Sequence, residues 1–432
     1  GMVADVAIHD HDGKNPHAHI MLTLRDIGPE GWGNKNRAWN SKELLQQQRE
    51  SWANAQNLSL ARAGHDVRVS HLSNAERGLS VIPQQKREGS GPRVNAERQA
   101  AHDSILRENG EHLRRHPEEL LNLLSAEGRA TWTQRDIDRM AHRYTLDDEQ
   151  FQRLRASVAQ SPHLIHLEGG KFTSSSVLET ERKLLESAEN LHRRSNHFVQ
   201  AKNLDPRLNS DQQEAVRALC EGGDLVIIEG APGTGKSFML KDAVENWHGE
   251  GYRVIAGSLQ SFQAANFARD AGIEEAGSLA RWETLWQHEK QELGPRTVMV
   301  IDEFGMVGSE QAQRILAKAE AAGAKVCLIG DRHQLPAIQH GAPLRMLADE
   351  LGAKQIQEIV RQDSDWHRKA IMDIRAGRED KGFEALQHHG CIKERSRNEA
   401  FKEMVKGWKE ARDEGGSAAL LAYQRKDVFE LN

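Results

Sequence analysis

Residues 230–237 read GAPGTGKS, a phosphate-loop pattern that directly follows the apolar run at residues 225–228. Glycines let backbone amides close around phosphate oxygens, the Lys236 ammonium reaches the outer phosphates, and the Ser237 hydroxyl is a ligand for Mg²⁺. A helix-forming stretch from Phe238 adds the positive end of a helix dipole. The pattern predicts a nucleoside triphosphate site contacted by Gly230, Ala231, Pro232, Gly233, Thr234, Gly235, Lys236 and Ser237.

A carboxylate pair, Asp302 and Glu303, follows a second apolar run at residues 298–301. In-line phosphoryl transfer depends on positioning and on charge neutralisation. We therefore expect Asp302 to bind Mg²⁺ together with Ser237, and Glu303 to orient and deprotonate the attacking water. An apolar strand followed by Asp-Glu is common, so the prediction depends on the phosphate loop that accompanies it.

Two further side chains fit the chemistry of a terminal phosphate. Gln334 follows the apolar run at residues 326–329, and an amide at a strand end can sense whether that phosphate is present. Arg361 could stabilise charge on the transferred phosphoryl group. Its spacing alone is equally consistent with a surface or salt-bridging arginine.

Histidines form a second candidate site near the start of the chain. His17 and His19 are two residues apart, so their side chains lie on one face of a strand and can both coordinate one divalent ion. His9 closes a short strand-like run and offers a third ligand. The neighbouring turn offers Asp10, His11 and Asp12 as alternatives. The residues alone fit equally well with solvent-exposed turn histidines and a polar strand face.

The elements that must position these residues change along the chain. Residues 3–89 mix short strands with one helix that opens at Asn40-Ser41-Lys42-Glu43, which resembles a capping box. Residues 84–97 have the composition of a linker. Residues 98–203 are predicted to be mainly helical, with a helix capped near Trp132 to Ile137 and a hairpin at residues 163–170, as in a helical pair with a two-stranded wing.

After residue 203 the pattern alternates between strand and helix. Four apolar runs separated by helical stretches imply right-handed βαβ crossovers and a parallel sheet buried on both faces. These runs are residues 225–228, 253–256, 297–301 and 325–329. Ligands of such sheets bind beyond the carboxyl ends of the strands, where the phosphate loop lies. The predicted fold class is α/β.

The composition of the chain restricts its function less than the motifs do. The chain has 432 residues, enough for about two to four domains. The net charge of -6 shows that the chain as a whole is not basic, so any surface that binds nucleic acid must be a local basic patch. The three cysteines, Cys220, Cys327 and Cys391, fit a reducing compartment. The sequence shows neither a signal peptide nor a membrane-length apolar run, and we expect a cytoplasmic protein.

Five segments together resemble the RecD-like branch of superfamily 1 DNA helicases in order and spacing. They are LNSDQQEAV from Leu208, GAPGTGKS, IDEFGMV, GDRHQLPAI and IVRQ. The resemblance implies a RecA-like lobe that uses ATP and Mg²⁺ on single-stranded DNA. It also implies that Gln212 contacts adenine, that Gln334 contacts the γ-phosphate, and that Arg361 is the first catalytic arginine. Such helicases need two RecA-like lobes, and residues 419–428 resemble only the opening strand of the second.

The segment VADVAIHDHDGKNPHAHIMLTLR resembles the His-hydrophobic-His segment of conjugative relaxases of the MobA/MobL and TraA type. This implies that His9, His17 and His19 bind a divalent metal (Mg, Mn or Zn), and that plasmid transfer-origin DNA and other relaxosome proteins are partners. The nucleophilic tyrosine of the family precedes the histidines. Here the tyrosines are Tyr144, Tyr252 and Tyr423. We therefore expect a partial relaxase that cannot form a covalent phosphotyrosine.

These observations predict four domains and three competing functions. The domains are a partial HUH relaxase (2–90), a linker with a mainly helical, winged-helix-type domain (91–203), RecA-like lobe 1A (204–362) and an incomplete second lobe (363–432). The leading function is an ATP-binding DNA helicase or translocase portion of a conjugative relaxase, with Phe262, Trp282 and Trp286 as candidates for stacking on bases. The alternatives are an incomplete DNA- and nucleotide-binding module and a metal-dependent nicking endonuclease.

Overall fold

The computed structural model describes residues 2–9, 17–28, 31–62, 69–84, 92–231, 233–334, 341–358, 364–415, 418–422, 427–428 and 431. The chain divides into two compact units, Gly1–Glu358 and Ile359–Asn432.

The first unit begins with two antiparallel hairpins and a helix. The elements are β1 (Ala4–His9), β2 (His17–Leu22), β3 (Arg25–Gly28), β4 (Gly31–Lys35) and α1 (Lys42–Arg62). The Ser41 hydroxyl accepts a hydrogen bond from the Leu44 backbone amide at 3.1 Å, which caps α1 as the sequence predicts. Every residue of the four strands is exposed.

Residues 69–84 lie between this region and the middle of the unit, and they contain bends and a turn. The Asn57 side chain donates from Nδ2 to the Val69 carbonyl oxygen at 2.9 Å and accepts at Oδ1 from the Val69 backbone amide at 2.8 Å. Asn109 makes the same two bonds with the backbone of Ile82, donating at 2.9 Å and accepting at 2.8 Å. Leu79 and Val81 are buried in the core of the middle region. Packing therefore extends across the domain boundary that the sequence predicts near residue 90.

The middle region is mainly helical, as predicted. Its elements are α2 (Pro92–Arg115), α3 (Pro117–Ala126), β5 (Trp132–Thr133), α4 (Gln134–Arg143), α5 (Asp148–Ala159), β6 (Leu164–Leu167), β7 (Lys171–Ser174) and α6 (Ser175–Arg193). Thr133 and Asp136 form the capping box of α4, and β6 pairs with β7 in the predicted hairpin. Helix α2 begins inside the predicted linker, because proline is well tolerated in a first helical turn.

A six-stranded parallel sheet forms the rest of the first unit, in the order β10-β9-β11-β12-β8-β13. Its elements are α7 (Ser210–Glu221), β8 (Leu225–Gly230), α8 (Lys236–Gly249), β9 (Arg253–Ser258), α9 (Ser261–Ala271), β10 (Glu275–Ser278), α10 (Leu279–Gln287), β11 (Thr297–Ile301), α11 (Ser309–Ala322), β12 (Lys325–Gly330), α12 (Pro343–Leu351) and β13 (Lys354–Ile356). The predicted α/β fold with a parallel sheet is confirmed.

Alternating side chains of the sheet enter two different cores. Leu225 and Ile227 pack on one side of β8, whereas Val226 and Ile228 pack on the other. All residues of β8, β11 and β12 are buried. Their continuous apolar runs follow from burial on both faces.

The second unit is helical where it is described, with α13 (Asp365–Arg375), α14 (Glu379–His388) and α15 (Arg397–Asp413). Of the residues at which a strand is expected (419–428), the described residues 419–422 are irregular and residues 427–428 are helical. The described part of this unit contains no other strand with which such a segment could pair. None of the described helices in either unit is long and apolar enough to span a bilayer.

Candidate nucleotide site and histidine cluster

The phosphate loop connects β8 to α8 at the carboxyl edge of the sheet. Gly233 and Gly235 have φ angles of 84° and 75°, a left-handed region that favours glycine. The Lys236 ammonium donates to the Gly230 carbonyl oxygen at 2.8 Å, and the buried Thr234 hydroxyl donates to that of Ala231 at 2.8 Å. These bonds fold the loop back on itself around the N-terminus of α8. Pro232 lies outside the described residues.

Gln212 supports this loop from the first turn of α7. Its Nε2 donates to the Thr234 carbonyl oxygen at 2.9 Å, and its Oε1 accepts from the Asn209 backbone amide at 3.1 Å. The residue is only 2% exposed. Both ends of the amide are therefore engaged in holding the loop and capping α7. The adenine contact implied by the family resemblance stays a prediction.

The predicted carboxylate pair lies at the end of β11, on the same edge of the sheet. Burial, followed by the neighbouring charge of Glu303, raises the pKa of Asp302 to about 6, and the charge of Lys236 opposes this shift. The structure thus brings Asp302 and Lys236 into one electrostatic environment. A buried carboxylate beside a second carboxylate is suited to a divalent cation. Glu303 has a φ of 53°, a strained conformation that is frequent at functional sites.

The loop after β12 lies between the phosphate loop and the carboxylate pair, because β12 separates β8 from β11 in the sheet. It carries Gln334, whose half-buried backbone amide donates to the Asp331 carbonyl oxygen at 3.2 Å. Gly330 packs so tightly that an added Cβ would lie 3.1 Å from the Gly305 backbone nitrogen. Three loops therefore converge at one edge. Arg361 lies outside the described residues.

Sequence reasoning missed an ion pair at this edge. Glu229, the residue before Gly230, has a side chain that is 2% exposed, and it pairs with Arg332 at 2.7 Å. Its signal in the sequence is a single carboxylate in the otherwise apolar strand LVIIEG. A buried charge of this kind needs a partner.

The three aromatic residues proposed to stack on bases differ in their solvent exposure. Trp282 and Trp286 are 0% and 6% exposed and belong to a core beside the sheet, so they are not stacking platforms. The Trp282 indole instead donates to the Ala256 carbonyl oxygen at 2.9 Å. Phe262, in the first turn of α9 after β9, is 74% exposed. It remains the candidate of the three.

The three histidines meet at the end of the first hairpin where β1 finishes and β2 begins. His9 lies opposite His17, and Ala7 lies opposite His19, so the histidines share one face. Their ring centroids are 4.7 to 5.6 Å apart, and potential ligand atoms of the three rings all lie within 4.8 Å of one another. This is the geometry of a possible facial metal site. Asp10, His11 and Asp12 lie outside the described residues.

Two family models match the chain on either side of the middle region. The MobA/MobL family matches residues 1–98, and an AAA domain matches residues 207–397. A protein of Sinorhizobium fredii, named as a probable conjugal transfer protein TraA, is 30% identical over 100% of this chain and 44% of its own length. The chain is therefore similar over its whole length to part of a TraA protein, and it has a MobA/MobL segment ahead of an AAA segment. The resemblance identified from the motifs is therefore confirmed.

Other relatives match this chain over shorter ranges. The ATP-dependent RecD2 DNA helicase of Deinococcus radiodurans is 29% identical over 35% of this chain and 22% of its own length. The Pif1 helicase structure from Candida albicans aligns at a TM-score of 0.31 and 17% identity, covering 40% of this chain and 46% of that one. The chain spans less than half the length of the S. fredii TraA protein.

Proposed function

We propose that the chain is the helicase-type NTPase portion of a conjugative relaxase-helicase, which uses ATP and Mg²⁺ and acts on single-stranded plasmid DNA. The observation that carries the proposal is the convergence of Lys236, Asp302 and Gln334 on three loops at one edge of the parallel sheet. Ligands bind at this edge in open α/β sheets. The names of the TraA and RecD2 relatives support DNA as the second substrate.

Each side chain has a role in this proposal. The loop amides and Lys236 bind the phosphates, and Ser237 and Asp302 hold Mg²⁺, which neutralises developing charge on the phosphoryl oxygens. Glu303 orients and deprotonates the attacking water. Gln334 contacts the γ-phosphate, and Arg361 stabilises the transferred group. Phe262 offers an exposed ring on which a DNA base can stack.

Steady-state ATP hydrolysis with and without single-stranded DNA tests the proposal. We expect DNA to stimulate turnover in the wild-type chain, and Lys236→Ala to abolish it. Lys241→Ala is the matched control, because Lys241 is exposed on the same helix and lies away from the loop. Stoichiometric binding of both ligands without stimulated turnover would instead support the binding-module alternative.

The histidine cluster supports a second candidate, metal-dependent chemistry on a DNA phosphodiester. Its evidence is the convergence of His9, His17 and His19 on one strand face. We expect calorimetric titration with Mn²⁺ to show one site, which His17→Ala removes and the exposed control His248→Ala retains. Cleavage that requires His17 but not Lys236 would support the endonuclease.

The covalent relaxase reaction is a separate question for the same cluster. None of the three tyrosines lies within residues 1–98, so we expect no tyrosine-linked DNA. A transfer-origin oligonucleotide, incubated with the chain and Mn²⁺ and resolved on a denaturing gel, tests this. A strand-specific 5′-linked protein adduct would contradict the expectation.

A further inference from the structure

An ion pair between a buried carboxylate and a half-buried guanidinium joins the phosphate-loop strand to the loop that carries Gln334. Glu229 immediately precedes Gly230, and Arg332 lies two residues before Gln334. Arg332 donates from Nε to Glu229 Oε1 and from Nη2 to Oε2, both at 2.7 Å. Two parallel bonds between planar groups fix orientation as well as distance.

Neighbouring elements hold both members of the pair. Gln355, on the adjacent strand β13, donates its amide to Glu229 Oε2, and Asp349 on α12 accepts from Arg332 Nη1 at 2.8 Å. Glu229 also lies opposite Gly330, the last residue of β12, so Arg332 leaves that strand beside the carboxylate. The guanidinium is thereby anchored to β8 and α12 at once.

Stability alone explains such a pair poorly. The attraction between buried charges is largely offset by their desolvation, and apolar replacements are often as stable. A bidentate pair does, however, restrict the geometry of the backbone segments that carry it. Here those segments are the end of the phosphate-loop strand and the loop with the predicted phosphate sensor.

We propose that the Glu229–Arg332 pair positions Gln334 against the terminal phosphate, and so sets how strongly the chain prefers a nucleoside triphosphate to a diphosphate. The inference rests on the proposed function. Glu229 and Arg332 are positioning residues, because they act on the nucleotide through Gln334 and the loop that carries it. The loop amides contact phosphates that both nucleotides carry, whereas Gln334 is expected to contact only the terminal phosphate of ATP, so loss of the pair should affect ATP binding more than ADP binding.

Equilibrium titrations of the full chain with Mg-ATP and with Mg-ADP test this division. Arg332→Lys keeps the charge but cannot make the bidentate bond. We expect it to weaken ATP binding about tenfold, as for the loss of one hydrogen bond to a charged group, and to change ADP binding by less than about twofold. Arg345→Ala, exposed on α12, is the matched control, and both affinities should equal those of the wild type.

A double-mutant cycle tests whether the two residues act as a unit. We expect Glu229→Gln and Arg332→Gln each to reduce the ATP preference, and the double variant to lose no more than either single variant. Thermal unfolding without nucleotide checks folding, and Arg332→Lys carries the test if the glutamine variants do not fold.

The possible failures are distinguishable. A wild-type chain that binds neither nucleotide overturns the proposed function and the inference with it. A wild-type chain that binds both nucleotides equally, or that prefers ATP while Arg332→Lys keeps the same preference, overturns the inference alone. Equal losses of ATP and ADP affinity in Arg332→Lys also overturn it, because they would show a merely structural role.

Discussion

At the residue scale, the protonation of Asp302 should make metal binding at the proposed Mg²⁺ site depend on pH. Its pKa is raised to about 6, first by burial and then by Glu303. Because Mg²⁺ binds the carboxylate form, we expect Mg-dependent ATP binding to weaken as the pH falls below about 6. The folded chain holds this proton more tightly than the unfolded chain, so the free energy of unfolding without nucleotide should decrease as the pH rises from about 4 to about 6.

ATP titrations between about pH 5 and pH 8 measure the first effect, and urea unfolding measures the second. Asp302→Asn should remove the contribution of this residue to both. Affinity for Mg-ATP that is constant over this range in the wild-type chain would contradict the assignment of Asp302 as a metal ligand.

His197 forms a buried pair that the sequence did not reveal. Its Nδ1 lies 2.7 Å from Asp224 Oδ1 and its Nε2 lies 2.9 Å from the Pro295 carbonyl oxygen. The ring therefore bridges a buried carboxylate and the backbone just before β11. Asp224 precedes β8, and the pair therefore fixes the base of the phosphate-loop strand.

Removal of this imidazole should destabilise the first unit. We expect His197→Ala to lower the free energy of unfolding by about 3 kcal/mol, because it leaves the carboxylate of Asp224 buried without its partner. Urea unfolding measures the loss. The double variant His197→Ala/Asp224→Asn should lose less than the sum of the single variants, and strict additivity would show that the two groups are not coupled.

At the element scale, α1 approaches α10 and α11 through an acidic contact. Burial, followed by the charge of Glu283, raises the pKa of Glu50 to about 7, and Arg314 opposes the shift. The folded chain again holds the proton more tightly, so the free energy of unfolding should fall as the pH rises from about 4.5 through 7. We therefore expect the contact between the MobA/MobL segment and the AAA segment to depend on pH.

Replacement of this glutamate tests the contact between the elements. We expect Glu50→Gln to raise the free energy of unfolding by about 1 kcal/mol near pH 8, after allowance for solvent screening, and to have little effect near pH 4. Glu43→Gln, on the same helix, is the control and should give no gain, because a backbone hydrogen bond lowers the pKa of Glu43. A pH-independent effect of Glu50→Gln would contradict the interpretation.

Strands were predictable where burial on both faces imposed a continuous apolar run, as in β8 and β11. The structure adds β10 and β13, which read EAGS and KQI. These short edge strands lack an apolar signature because their pairing with β9 and β8 defines them. Residues 419–422 carry an apolar signature but form no strand, and the described residues of the second unit offer no partner strand.

At the scale of the whole molecule, burial is distributed unevenly. The parallel sheet lies between two large cores and the middle region has its own, whereas all residues of β1 to β4 are exposed. Isolated hairpins of this kind are marginally stable in water. Stability in the first unit should therefore be concentrated in the sheet.

Hydrogen exchange resolves this distribution. We expect the amides of β1 and β2 to exchange much faster than those of β8 and β11, and Mn²⁺ to slow exchange in β1 and β2 by binding the histidines that join them. His17→Ala should abolish the slowing, and His248→Ala should retain it. Slow exchange in β1 and β2 without metal would contradict the predicted distribution.

The sequence by itself determined the α/β class, the phosphate loop, the positions of Asp302 and Gln334 at strand ends, and the family resemblance. These features depend on local spacing and on apolar runs, which a single segment carries. Only the tertiary structure decided that Gln212 holds the loop, that Trp282 is a core residue, and that Glu229 pairs with Arg332, which is 103 residues away. Such contacts arise when distant segments are brought together at the sheet, and each buried polar group then takes the partner that packing places within reach.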